Sequence, residues 1–177
     1  MPIGFAIRLP IENFRCRVST DTTPGFAWKD TTSIDYFAGK RIALISVPGA
    51  FTPTCSSTHL PGYESAYEEI RSLGVDEVYC LSVNDSFVMN AWFQQLGIQN
   101  VKPIPDGSGN FSRKMGMLIN KDNLGFGMRA WRYSLIANDG VVEMMWVEPN
   151  MADNADADPF EVSDAETMIA YLKRIKK

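Results

Sequence analysis

The stretch RIALISVPGAFTPTC, Arg41 to Cys55, decides the fold. Its first seven residues are an apolar run too short for a helix and ended by Pro48-Gly49, so Arg41 to Val47 reads as a buried strand. Beyond Pro53, the residues Leu60, Tyr63, Tyr67, Ile70 and Leu73 recur at helical spacing, with Pro61 as an expected kink and Gly74 as the stop. A second strand-like run, EVYCLSV from Glu77 to Val83, follows. Asn84-Asp85-Ser86 then supplies caps for a helix that runs through Leu96 to Gly97. Strand, helix, strand, helix at these intervals is the pattern of parallel βαβ pairing.

Outward from that unit the pattern changes. Toward the N-terminus, Phe14, Cys16 and Val18 share one side of an expected strand, and Thr22 to Gly25 (TTPG) is a turn. Toward the C-terminus, the strand-like runs Arg132 to Ala137 and Val141 to Val147 flank Asn138-Asp139-Gly140, a hairpin signal. Ser163 with Glu166 reads as a capping box for a last helix over Met168, Ile169, Leu172 and Ile175. Between hairpin and helix, Met151 to Pro159 is an acidic loop, read as solvated. Together these pieces predict an α/β fold, a single domain over residues 1–177 with a mixed central β-sheet flanked by helices.

Composition bounds the function. At 45% hydrophobic and 21% charged residues the chain can build a core without disulfides. A net charge of −4 with no basic cluster able to track a phosphate backbone excludes nucleic acid as a partner. No apolar run approaches the ~18–20 residues of a membrane span, and Arg8, Pro10 and Glu12 interrupt any secretory core, so the expected location is the cytoplasm, with no membrane contact. Three cysteines outside any CxxC pair, with His59 the one histidine, make no zinc set. Gly125-Phe126-Gly127 is too short for a dinucleotide fingerprint. No metal and no cofactor are expected.

The chemistry concentrates at Cys55. Thr52 is a good N-cap and Pro53 suits the first helical position, which places Cys55 third in the first turn. There the sulfur lies near unpaired N–H groups and the positive end of the helix dipole, and both favour an anionic sulfur. The Thr52 hydroxyl can reach the sulfur or a bound substrate, and the N–H groups of Thr54 and Cys55 offer an oxyanion-type cradle. A lone cysteine among apolar residues is otherwise core filler. Its place at a proline-marked helix start, between two threonines, sets this one apart.

The spacing PxxxTxxC, here Pro48, Thr52 and Cys55, resembles the active-site motif of peroxiredoxins, and PGAFTPTCSSTHLPGY is similar to the type II, or type-5, subgroup. VYCLSVNDSFVMNAW, IPDGSGNFSRKMG, NLGFGMRAWRYS and DPFEVSDAETMIAYL extend the resemblance over nearly the whole chain from Trp28. They look like bacterial and plant members, including bacterial forms fused to a glutaredoxin domain. The resemblance implies a thioredoxin-like fold and a thiol peroxidase acting on hydrogen peroxide and organic hydroperoxides. It also implies a homodimer whose contact uses loops such as Met117 to Ile119 and Leu124 to Phe126.

By the same resemblance, Cys55 is the peroxidatic cysteine, which attacks the O–O bond and becomes a sulfenic acid. Thr52 orients the peroxide, and Pro48 shields the sulfur from water, with Thr54 also in the pocket. The family arginine precedes an aromatic at the start of a late strand and so falls on Arg132 before Tyr133. Arg129 competes for that role; within one strand the two would point to opposite faces, so that only one lines the pocket. His59, four residues after Cys55, lies on the same helical face. It reads either as the base of a cysteine acyl-transfer pair or as a packed histidine bonded to backbone.

The other cysteines bear on recycling. Cys80 lies 25 residues after Cys55, a spacing shared with plant type II members, which makes it a candidate resolving thiol. Inside an apolar strand it reads instead as a buried inert thiol, and a disulfide to Cys55 needs Cα atoms within roughly 7 Å. No cysteine follows Cys80, a departure from the animal type-5 pattern with its resolving cysteine near the C-terminal helix. The resemblance assigns Cys16 nothing. The expected reductant is therefore external: glutathione with glutaredoxin, or thioredoxin if Cys80 resolves. A redox-regulated binding or chaperone-like module on the same fold is the rival function.

Overall fold

The computed structural model describes residues 7–22 and 24–176. Thr23 of the expected turn, residues 1–6 and Lys177 lie outside the described residues. From the N-terminus, β1 (Asn13–Ser19) pairs antiparallel with β2 (Phe26–Thr32), and α1 (Ser33–Phe37) leads into β3 (Arg41–Val47). A π-helical turn, Cys55–His59, continues as α2 (Leu60–Ser65) and α3 (Tyr67–Ser72). Next come β4 (Glu77–Ser82), α4 (Ser86–Leu96), β5 (Lys102–Pro105), α5 (Asn110–Lys114) and a short ribbon of β6 (Leu118–Asn120) and β7 (Met128–Ala130). The hairpin of β8 (Tyr133–Asn138) and β9 (Val141–Val147) precedes the last helix, α6 (Ala165–Ile175).

The central sheet runs β5-β4-β3-β8-β9. β3, β4 and β5 are parallel, while β8 is antiparallel to β3 and to β9, so the sheet is mixed, as its sequence pattern predicts. Alternation along the strands divides the core. Ile42 and Leu44 of β3 pack with Phe37, Phe111 and Leu135 on one face of the sheet. Ala43, Ile45 and Val47 pack with Cys55, Tyr63, Trp92 and Met168 on the other. By the same period, Cys80 of β4 faces the side on which Cys55 sits, and Tyr79 and Leu81 face away. At the hairpin tip, Asp139 and Gly140 take φ of 49° and 74°, the two left-handed positions of a type I′ turn.

One local expectation is corrected and another is narrowed. The cap of α6 is Asp164 rather than Ser163: its carboxylate accepts from the Thr167 N–H at 2.8 Å, because the Ser163 hydroxyl is buried and already donates to Glu148. Of the Asn84-Asp85-Ser86 caps expected for α4, Asp85 takes the role, accepting from the Val88 N–H at 3.0 Å. Asp164→Ala should therefore lower stability by about 1 kcal/mol. A thermal melt checks this, and a loss confined to Ser163→Ala would contradict it.

Candidate active site

The β3 strand ends at Val47, and Pro48 to Thr52 loops round to the helix start. The loop is pinned from both sides: the Thr52 hydroxyl donates to the Gly49 carbonyl at 2.7 Å, and the Asn84 side-chain oxygen accepts from the Ala50 N–H at 3.0 Å. Between them Phe51 is forced to φ 64°, a left-handed conformation that costs a non-glycine residue roughly 1–2 kcal/mol. Thr52 thus braces the loop with the hydroxyl expected to reach the sulfur or a bound substrate.

The first turn carries Cys55, fully buried, at the start of the π-helical segment. Its cause lies ahead of it. Pro61 has no N–H for the α-helical ladder, and its ring would crowd the carbonyl four residues back. The chain widens instead, and the Leu60 N–H reaches the Cys55 carbonyl, five residues back. Hydroxyls occupy carbonyls in the loosened turn: Ser57 donates to Pro53 at 2.8 Å and Thr58 to Thr54 at 3.1 Å. The Trp92 indole N–H, donating to the Ser56 hydroxyl at 2.9 Å, ties the turn to α4.

Arg132, 1% exposed, delivers its Nη2 to within 3.4 Å of the Cys55 sulfur. The remaining donors of the guanidinium fix its plane. Nε and Nη2 bond Asp158 Oδ1 at 3.2 and 2.9 Å, Nη2 bonds Asp158 Oδ2 at 2.8 Å, and Nη1 meets His59 Nδ1 at 2.9 Å. Phe160 lies against the same group, its centroid 5.7 Å away. Burial works against the charge on Arg132, but the Cys55 sulfur and the Asp158 carboxylate outweigh it and raise its pKa.

His59 is neutral by construction. Its Nε2 lies 3.1 Å from the Ser163 carbonyl, which can only accept, so the proton sits on Nε2 and the bare Nδ1 accepts from Arg132. Burial first, then the Arg132 charge, push the imidazole pKa down to about 3. A nitrogen whose lone pair is committed to a guanidinium does not deprotonate a thiol.

Arg129 comes to the same place by another route. It sits in β7, while Arg132 follows that strand and precedes β8, so the two do not alternate along one strand: Arg132 reaches the sulfur and Arg129 reaches the loop. The premise that the two share one strand is corrected, and of the two only Arg132 bonds the sulfur. Arg129 Nη1 donates to the Pro48 carbonyl at 3.3 Å and its Nε to the Phe126 carbonyl at 3.1 Å. It passes so close to Gly49 that a Cβ there would stand 2.7 Å from Nη1. Burial lowers its pKa, and the nearby Cys55 sulfur opposes that shift.

The site is thus a buried thiol at a loosened helix start, faced by a braced guanidinium, with a second arginine on the Pro48-Gly49 loop. The redoxin family model matches residues 21–169. A peroxiredoxin of Synechocystis, sll1621, is 56% identical over 169 residues, covering 94% of this chain and 89% of that protein. The hybrid peroxiredoxin hyPrx5 of Haemophilus influenzae is 49% identical over 88% of this chain and 63% of its own length. The chain belongs to the peroxiredoxin family. Among solved structures, the Plasmodium falciparum antioxidant protein, a 1-Cys peroxiredoxin, superposes with a TM-score of 0.90 at 33% identity over 96% of this chain and 99% of that one. Reduced Prx3 of Vibrio vulnificus in complex with hydrogen peroxide gives 0.81 at 35% identity, over 98% of each chain. The type II/type-5 affinity and the thioredoxin-like fold expected from the motifs both hold.

In this peroxiredoxin the remaining expected residues are placed as follows. Pro48 offers its carbonyl to Arg129, and Thr54 lies in the first turn beside Cys55. Cys80 is fully buried in the middle of β4, where burial, then the Cys55 sulfur, raise its pKa well above the ordinary thiol value. Cys16, partly exposed on β1, lies 3.3 Å from the Tyr36 hydroxyl, and all three thiols are unpaired. Asp158 was not anticipated, because its loop reads as solvated acid; nor was the bracing by Asn84, whose place before α4 reads as a cap. Among the described residues no group of three or more His, Cys, Asp or Glu side chains could hold a metal ion, and no helix is long and apolar enough to cross a membrane.

Proposed function

We propose that this peroxiredoxin reduces hydrogen peroxide and organic hydroperoxides through Cys55 and is recycled by glutathione with glutaredoxin. The observation that carries the reading is the 3.4 Å approach of Arg132 Nη2 to the Cys55 sulfur, with every other arm of that guanidinium held by protein. The Cys55 thiolate attacks the nearer peroxide oxygen, an S–O bond forms as the O–O bond breaks, and hydroxide or alkoxide leaves to be protonated by water. Arg132 stabilises negative charge first on sulfur and then on the departing oxygen. Thr52 and Pro48 hold the loop that covers the sulfur, and Thr54 adds a first-turn N–H. A cysteine acyl transferase would need His59 as a base, which its neutral, doubly engaged ring does not supply. Pre-reduced protein should consume one equivalent of peroxide without added reductant; consumption of none would reject the reading.

The Cys55 sulfenic acid then condenses with glutathione, releasing water and leaving a mixed disulfide. A second thiol exchange restores the thiolate and releases glutathione disulfide. Cys80 argues for this external route: β4 is hydrogen-bonded on both sides, to β3 and to β5, and its thiol is held protonated by burial. Accordingly, the double variant Cys16→Ser, Cys80→Ser should keep most of the glutathione-supported turnover. Intact mass after peroxide and excess glutathione should show one adduct, on Cys55. A Cys55–Cys80 disulfide on peptide mapping, with turnover lost in Cys80→Ser, would instead make thioredoxin the reductant. Of the loops expected at a homodimer contact, Met117 and Ile119 are buried in the core, which corrects that part of the expectation; exposed Leu124, with Phe51 and Met128, supplies the apolar surface instead.

A further inference from the structure

We infer that Glu148 is a positioning residue for Arg132, acting as a buried clasp that the reacting groups never touch. Glu148 follows β9 and is 1% exposed. Its carboxylate collects donors from one short segment: the N–H groups of Glu161 at 2.9 Å, Val162 at 2.9 Å and Ser163 at 2.8 Å, and the Ser163 hydroxyl at 2.7 Å. These outweigh the cost of burial and hold its pKa below the usual carboxylate range, so it is ionised. Its backbone is tied to the other side, with its N–H donating to the Arg132 carbonyl at 3.1 Å and its carbonyl accepting from the Trp131 indole at 2.8 Å.

One residue therefore joins the Arg132 backbone to the segment that ends the 149–160 loop. The loop returns Asp158 and Phe160 to the guanidinium. The same segment aims the Ser163 carbonyl at His59 Nε2 and at the Tyr63 hydroxyl, 2.9 Å away, and the first of these bonds chooses the tautomer whose Nδ1 receives Arg132. Both side-chain braces of Arg132 thus depend on the Glu148 carboxylate. An amide cannot replace it: glutamine has one acceptor oxygen and would turn an NH2 toward N–H donors.

His59 is the only histidine in the chain, so its two ring nitrogens give an unobstructed readout by 15N–1H correlation NMR. The wild type should show a single Nε2–H tautomer. Glu148→Gln should keep a folded near-ultraviolet signature, mix the tautomers, and slow single-turnover peroxide consumption by about tenfold or more through misalignment of Arg132. A merely structural role would lower the melting temperature and leave the imidazole signals and the rate at wild-type values, which would overturn the proposal. A slowed rate with an unchanged tautomer would overturn the route through His59. If Glu148→Gln does not fold, Ser163→Ala decides, since it removes a single donor to the carboxylate and should move both readouts in the same direction; no movement overturns the clasp. The inference rests on Cys55 as the reacting thiol: a wild type that consumes no peroxide would reject that reading, and the imidazole signals of the variants would then decide the clasp alone.

Discussion

Cys55→Ser is expected to bring peroxide consumption down to the uncatalysed background while leaving the protein folded. Serine is nearly isosteric with cysteine, and its hydroxyl, in a site with no exposure, can still accept from Arg132 Nη2. What is lost is the polarisable anion: a hydroxyl is not ionised near neutral pH and does not displace an alkoxide from oxygen. Removing the nucleophile of a concerted site commonly costs about 10⁶-fold, more than an assay above background can register. Stopped-flow consumption of hydrogen peroxide, set beside circular dichroism of the same sample, checks both halves. Substantial activity in a folded serine variant would mean that another thiol reacts, and the assignment of Cys55 would fall.

The next largest effect belongs to Arg132→Ala, expected to slow the single-turnover reaction by about 100-fold, the usual cost of losing one preorganised donor to a developing oxyanion. The same change in Arg129 should cost less, because its bonds go to the Pro48 and Phe126 carbonyls and none reaches the sulfur. Arg132→Lys should not restore the rate, since one ammonium cannot hold Asp158 on two edges, accept the guidance of His59 Nδ1 and still face the sulfur. Comparison of the three variants under single-turnover conditions tests the ranking. An Arg129→Ala variant slower than Arg132→Ala would exchange the two roles.

Much of this was legible from the chain alone, for reasons that differ by region. The strands β3 and β4 announce themselves because both faces are buried and their apolar runs are continuous, and the Asp139-Gly140 turn because only left-handed residues close a two-residue hairpin. The Cys55 turn was readable because caps and prolines act locally. The parts that escaped are those made by distance in sequence. Asp158 looks like any solvated acid until the loop folds back onto Arg132, and Glu148 is one more carboxylate at a strand end until three backbone N–H groups converge on it. Ser163 and Asp164 are equally good caps by composition; the choice between them is made by Glu148, which takes the serine first. The rule for one strand sets Arg129 against Arg132, and it lapses because β7 ends at Ala130 and Arg132 lies in the link before β8.

The π-helical turn at Cys55–His59 makes the chain's length, not only its chemistry, part of the design. Such a turn spends one residue more than the α-helical turn it replaces, and each residue is about 100° of rotation. Leu60, Tyr63 and Ile70 are locked in the core downstream, so loss of one residue between Cys55 and Leu60 could not be absorbed there. The upstream end would have to swing instead, carrying the sulfur about a quarter-turn away from Arg132 while every side chain around it stayed the same. Substitutions at Ser56, Ser57 and Thr58 leave that count untouched and can at most loosen the turn. Across related chains this segment should therefore vary in spelling and hold its number of letters.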